Sequence, residues 1–248
     1  MEPEEYALIS VVESDHWWYK GLRNHVLMKL DGLVETNARI LDAGCGTGGV
    51  IAAINDQFPE AETVGIDISP IAIGHAKVKA GGHIAQGSVD SLPFSDETFD
   101  LILSLDVIYH AAVDDRKSVQ ELMRVAKPGG LVVIHVPAYE WLRSDHDIVV
   151  HTARRYTVSR LRKLFGEAGF GSVECGYRNS LLFPVMVAQR LLSKAIKSSS
   201  PRSAVVRHSK VTNTFLSILV STESKLVRHG VKFSVGGSVF AIFRKTYS

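Results

Sequence analysis

The chain has 248 residues, enough for one large α/β domain or a domain with an appendage, and a hydrophobic fraction of 46% excludes an intrinsically disordered chain. A formal net charge of +2 gives no global pull toward nucleic acid, so no nucleic-acid partner is expected. Two distant cysteines, Cys45 and Cys175, make no disulfide framework; the acidic start lacks the basic and apolar regions of a signal peptide; and no run approaches the roughly 18 apolar residues of a spanning helix, so a cytoplasmic protein is expected.

Residues 4–34 read as helical, with Ser14 or Asp15 as a cap and Trp18, Leu22, Val26 and Leu30 at helical spacing. Residues 1–38 are accordingly expected to form an N-terminal helical lid. From Arg39 strands and helices alternate. Strands are expected at 39–43, 63–67, 83–86, 99–105 and 131–136. Helices are expected at 50–57, from Pro70 onward, and through Val119, Leu122 and Val125, the last stopped by Lys127-Pro-Gly-Gly130. This rhythm implies a parallel sheet with right-handed crossovers. The core is expected to span 39–179, interrupted by a polar, His-rich insertion at 138–156. Thr157 caps a further helix, a strand follows near 172–177, and helices at 180–197 and 212–228, joined by a loop at 198–203, form a helical cap over 180–236. A last strand, within 237–248, returns to the core.

The sharpest signal is Leu41-Asp-Ala-Gly-Cys-Gly-Thr-Gly48. Glycines after a strand let the backbone turn tightly and approach a ligand closely. Gly44, Gly46 and Gly49 literally satisfy G-x-G-x-x-G, which also suits a dinucleotide. Asp42 precedes the glycines, where an acid suits a ligand ammonium better than a pyrophosphate. Asp67 ends the second strand, the usual place for an acid that takes both hydroxyls of a ribose.

ILDAGCGTG, GIDIS, LPFSDETFD, LSLDVIYH and RVAKPGG follow one another from Arg39 to Pro137. In this the chain resembles the class I S-adenosylmethionine (SAM) dependent methyltransferases, specifically the broad group of small-molecule, quinone and natural-product enzymes. The resemblance implies an α/β, Rossmann-like, seven-stranded and mostly parallel sheet with an antiparallel last strand. SAM would be the cofactor and S-adenosylhomocysteine its product. Gly44, Gly46 and Gly48 are assigned to the methionine portion and Asp67 to the ribose; Cys45, Ile68 and Leu105 lie beside them. The acid that normally meets the adenine amine is replaced, since Ser88 stands where the family often has Asp. Either Ser88 with the Val89 backbone takes that place, or Asp90 does.

On the acceptor side, ligands of open α/β sheets lie beyond the carboxyl ends of the strands. His110 and the insertion, with Trp141, His146, Asp147, His151, Arg154, Arg155 and Tyr156, are expected there. A subgroup of the family has a similar W-x(3-4)-H-D and H-x-x-R-R-Y pattern, an early His16-Trp-Trp-Tyr19 and a later Leu182-Phe-Pro184. Tyr19, Tyr109, Trp141, Asp147, Arg154, Arg155 and Tyr156 are candidates for acceptor binding. His146, His110 and His151, in that order, are candidates for the general base that a hydroxyl acceptor needs. No metal is expected, because no further ligand shows metal-site spacing. Arg190, Lys194 and Lys197 form a basic stripe on a helix with no carboxylate nearby; a packed cap helix with a solvated stripe is preferred over peripheral membrane contact.

Three other functions compete with this reading. An NAD-dependent Rossmann oxidoreductase does not explain the LPF and ETFD stretches. A non-catalytic SAM-binding protein is expected to have an eroded glycine loop. A nucleic-acid base methyltransferase is disfavoured, because the fourth strand does not run into an Asn/Asp-Pro-Pro-Tyr element.

Overall fold

The structure, a computed structural model, describes residues 3–195 and 208–246. The chain opens with α1 (Pro3–Val12) and α2 (Trp17–Leu30), two helices where the sequence suggested one. Arg23 causes the break to hold: its guanidinium donates to the carbonyls of Glu13 (3.2 Å) and Ser14 (3.1 Å), which α1 leaves unpaired at its end. Neither Ser14 nor Asp15 is the cap of α2. His16 is, accepting from the Trp18 N–H at 3.3 Å.

The alternating region then runs β1 (Arg39–Ala43), α3 (Gly49–Gln57), β2 (Glu62–Asp67), α4 (Pro70–Ala80), β3 (His83–Gln86), β4 (Phe99–Leu105), α5 (Asp115–Val125) and β5 (Ala126–Pro137). Caps lie where side chains can satisfy free N–H groups: Ser69 before α4, with Pro70 in its first turn, and Asp114 before α5. β5 begins five residues earlier than the 131–136 expected, since Phe99 already pairs with Ala126. After β5 come a single 3₁₀ turn at Glu140–Leu142, α6 (Asp145–Val149), α7 (Val158–Glu167) capped by Thr157, β6 (Phe170–Arg178), α8 (Phe183–Ala195), α9 (Lys210–Arg228) and β7 (Ser238–Lys245). Lys197 and the loop expected at 198–203 lie outside the described residues.

The seven strands form one sheet in the order β3-β2-β1-β4-β5-β7-β6, with β7 antiparallel to both neighbours. The order reverses between β1 and β4, so the loops after these strands diverge and open a crevice at their carboxyl ends. Each face carries its own apolar cluster. One joins Phe99, Val119, Leu122, Phe165 and Phe243 under α5 and α7; the other joins Val26, Leu30, Ile54 and Phe240 under α2 and α3. Strands buried on both faces explain the near-continuous apolar runs of β4 and β5.

Candidate active site

The glycine loop sits where the crevice opens. Gly44 and Cys45 donate their N–H groups to the Ile66 carbonyl at 2.9 and 2.8 Å, tying the loop to β2. Gly44 and Gly48 have φ of 97° and 84°, in the left-handed region. Space excludes a side chain at both: a Cβ on Gly44 would stand 2.3 Å from Val107, and one on Gly48 would stand 2.8 Å from the Ala76 backbone. Asp67 shapes the loop from the next strand, accepting from the N–H groups of Gly46 and Ser69, each at 2.9 Å. Asp42 is buried at the end of β1 and forms no hydrogen bond or ion pair among the described residues. Burial, with the nearby Asp67 charge, raises its carboxyl to about 7.

Past β2, Ile68 stands exposed and Val89 is buried. Ser88 accepts from the Asp90 N–H at 3.2 Å. The two oxygens of Asp90 accept from the Asp114 N–H and the Ser118 hydroxyl, at the start of α5. Between the two alternatives left open by the sequence, Asp90 is therefore engaged by the fold.

The N-terminal helices close over the loop through residues the sequence did not single out. Glu13 accepts from the Thr47 hydroxyl at 2.7 Å and pairs with Lys79 of α4. Its carboxylate fills the space beside Gly49, where a Cβ would stand 2.3 Å from it. Burial, then the charge of Asp67, raises the Tyr6 phenol. Burial, then the charges of Asp106, Glu5 and Glu13, raises Tyr19. Trp18 stands edge-on to His135, with ring centroids 5.9 Å apart. No local pattern announces Glu13 or Tyr6, because their partners lie dozens of residues away.

On the acceptor side, Asp106 follows β4 with φ of 60°, a conformation aspartate tolerates better than most residues. Its carboxylate meets His135 Nδ1 at 3.0 Å. Tyr109 stacks on His110 at 4.4 Å. The segment 108–111 is then strapped to 151–154: Ala111 donates to the His151 carbonyl, and Ala153 and Arg154 donate to that of Tyr109. His110 and the post-β5 insertion are thus joined, as the sequence placed them. Burial lowers both His110 and His146, against the opposing pull of Asp106 on the first and of Asp147, Glu5 and Asp106 on the second. His151 is exposed.

Four candidate acceptor residues are engaged by the fold. Asp147 and Arg155 form a buried bidentate pair at 2.8 and 2.9 Å; Asp147 also accepts from Ser144, and Arg155 donates to the Ala138 carbonyl. Burial alone would raise the Asp147 carboxyl, but Arg155 holds it below the usual range. Tyr156 is fully buried, its hydroxyl donating to Asp115 at 2.7 Å. Arg154 reaches the Ile108 carbonyl and Asp115. Trp141 stays half exposed, beside Tyr139 and Phe183. Among the described residues no cluster of His, Cys, Asp and Glu could hold a metal.

Residues 41–134 match the family model described as a methyltransferase domain. A methyltransferase-named protein of Encephalitozoon cuniculi is 34% identical over 181 residues, 63% of this chain and 81% of that protein. The chain belongs to the class I SAM-dependent methyltransferases. A 24-methylenesterol C-methyltransferase of Arabidopsis thaliana is likewise 34% identical, over 50% of this chain. The structure of a phosphoethanolamine N-methyltransferase of Haemonchus contortus in complex with SAM superposes with a TM-score of 0.61, at 20% identity, covering 93% of this chain and 53% of that one. The chain spans 62% of a Haemophilus influenzae protein and 35% of the Arabidopsis sterol enzyme, less than two thirds of each.

The methyltransferase uses SAM as its cofactor. The crevice fits that group. A buried acid with no cation against it among the described residues, and a second acid at the end of β2, suit a ligand that is cationic at its ammonium and sulfur; they oppose a pyrophosphate.

Proposed function

We propose that this methyltransferase acts on a small-molecule acceptor, with a histidine beyond β4 and β5 as general base. Within the cofactor site, Gly44, Cys45, Gly46 and Gly48 would cradle the methionine portion, Asp42 would face the ammonium, and Asp67 would take the ribose hydroxyls. Ile68 and Leu105, with Ser88 and the Val89 backbone, would bracket the adenosine. When bound, SAM supplies a methyl already activated on a sulfonium. The chain's own residues hold the acceptor on the line of attack and remove its proton.

The observation that carries this reading is the state of His146 and His110. Both sit in the strapped acceptor region, and burial keeps both rings neutral near pH 7, the form that accepts a proton. His151, exposed, ranks behind them. Tyr19, Tyr109 and Trp141 remain the candidates for acceptor contact, whereas Asp147, Arg155 and Tyr156 pin the region. Relatives named for sterol, demethylmenaquinone and norajmaline methylation support a small acceptor; a tRNA methyltransferase matches over only 24% of its own length.

Titration with SAM, S-adenosylhomocysteine and NAD tests the cofactor site, with binding of the first two expected. Turnover in His146→Ala, His110→Ala and His151→Ala then tests the base. The base variant keeps SAM affinity and loses turnover roughly 10²–10⁴-fold. Normal turnover in all three removes the histidine from the mechanism.

A further inference from the structure

Two carboxylates beside the acceptor region lack a Lys or Arg partner among the described residues. Glu5 lies on the inward stripe of α1 with Ile9 and Val12, at i, i+4 and i+7, all three buried. Glu13, just past the end of that helix, is strapped to the glycine loop, and Glu5 stands about 12 Å from it along the axis at a rise of about 1.5 Å per residue. Glu5 is only 9% exposed, its Oε2 is buried without a hydrogen-bond partner, and it forms no ion pair among the described residues. A buried charge of this kind costs free energy until a partner arrives.

Asp106 is the second carboxylate. Among the described residues only one of its oxygens is bonded, meeting His135 Nδ1 at 3.0 Å. An ionised carboxylate can only accept, so Nδ1–H donates, and the buried imidazole fixes the direction of the carboxylate. Val107, its neighbour, fills the space beside Gly44, so Asp106 stands next to the glycine loop. The charges of Glu5 and Asp106 converge on the same two side chains, Tyr19 of α2 and His146 of α6, and that of Asp106 also reaches Tyr109 and His110. Arg155, whose charge reaches Tyr109 and His146, is held by Asp147 in the bidentate pair.

An anion in this space would be repelled by both carboxylates, and a neutral hydroxyl would leave both charges unmatched. An ammonium gives each a charge-assisted hydrogen bond and can rest against the Tyr19 ring. We propose that the acceptor carries a protonated amine, held between Glu5 and Asp106 against Tyr19. The amine deepens the reading above and rests on it only for the acceptor's place beyond β4 and β5; its binding needs no histidine base.

The test is NMR titration of the full chain, saturated with S-adenosylhomocysteine, with phenethylammonium and butylammonium and with phenethyl alcohol and butanol. Each ammonium should bind at least about ten-fold tighter than its alcohol. Glu5→Gln and Asp106→Asn, which keep size and remove charge, should each erase that preference while S-adenosylhomocysteine binds as before. Where Asp106→Asn does not fold, Glu5→Gln decides alone. Equal binding of amine and alcohol, no binding of either, or a preference that survives either substitution overturns the proposal. So does loss of S-adenosylhomocysteine binding in either folded variant, which would assign the acids to the cofactor. Failure of the histidine base shows separately, as normal turnover in the histidine variants.

Discussion

On the proposed assignment of Asp42 to the ammonium, SAM binding should be a proton-linked event. Its carboxyl lies at about 7 in the free protein instead of 3.8, because it is buried beside Asp67 with no cation against it. That is about three pKa units, roughly 4 kcal/mol at 1.36 kcal/mol per unit, for keeping the group charged at high pH. Since this folded value is raised, the group stabilises the free fold relative to higher pH, and that contribution is lost as pH climbs from about 4 to about 7. An ammonium placed against it returns the carboxyl toward its ordinary range. Binding below neutrality must then expel the proton, and affinity should rise by up to about ten-fold per pH unit between about pH 5 and pH 7, then level off.

Calorimetry in buffers of different ionisation enthalpy measures the released proton directly. Near pH 6 close to one proton should leave per SAM bound, and S-adenosylhomocysteine, which keeps the ammonium, should behave alike. Asp42→Asn should remove the proton release and weaken binding above pH 7. It should also stabilise the free protein there. Proton-independent binding by the wild type, or release that persists in Asp42→Asn, would refute the assignment.

Asp67→Ala should weaken SAM about 100-fold or more by titration, since charge-assisted hydrogen bonds of about 1.5–3 kcal/mol each are lost and the Gly46 N–H loses its acceptor. Glu13→Ala should cut the strap from α1 to Thr47 and Lys79, lowering stability by about 1–3 kcal/mol in denaturant titration and weakening SAM, with turnover at saturating SAM little changed. Asp147→Ala leaves a buried guanidinium unpaired and should cost about 3–5 kcal/mol in unfolding free energy. The Asp147 carboxyl is held low, so its stabilisation is present above the ordinary carboxylate range and fades in the wild type as pH falls below about 4.

What was legible in the sequence is what local chemistry decides. β1 and β4 fall where the apolar runs place them, because a parallel strand covered on both faces needs a continuous run of apolar residues. The glycine loop was legible because its φ angles and clearances admit no other residue at Gly44 and Gly48. The site's other half arises from pairings across the fold. Glu13 reads as one more helical acid until Thr47 and Lys79 come beside it, and Asp106 reads as a loop aspartate until His135 does. Asp147, Arg155 and Tyr156 mislead in the opposite way. A polar, aromatic cluster suggests a ligand, yet here a buried ion pair and a tethered phenol hold the insertion in one shape.

The two sides of the crevice differ in charge for a reason that bears on the reaction. Asp42, Asp67 and Glu13 gather around the glycine loop, and Asp106 stands at the next strand end, so the field there favours a cation. The same field pulls protons toward nearby imidazoles, and a protonated ring cannot act as a base. Burial opposes that pull at His110 and His146 and outweighs it, leaving both below their usual value. Burial of the rings depends on the insertion keeping its shape, and that shape depends on the Asp147–Arg155 pair. Asp147→Asn, which keeps the side chain's size but weakens its hold on Arg155, should let water reach His146. Hydration raises the imidazole while the lost Asp147 charge lowers it, so an acid limb of the pH–rate profile that moves upward marks hydration as the larger effect. An unmoved limb would show that the pair serves stability alone.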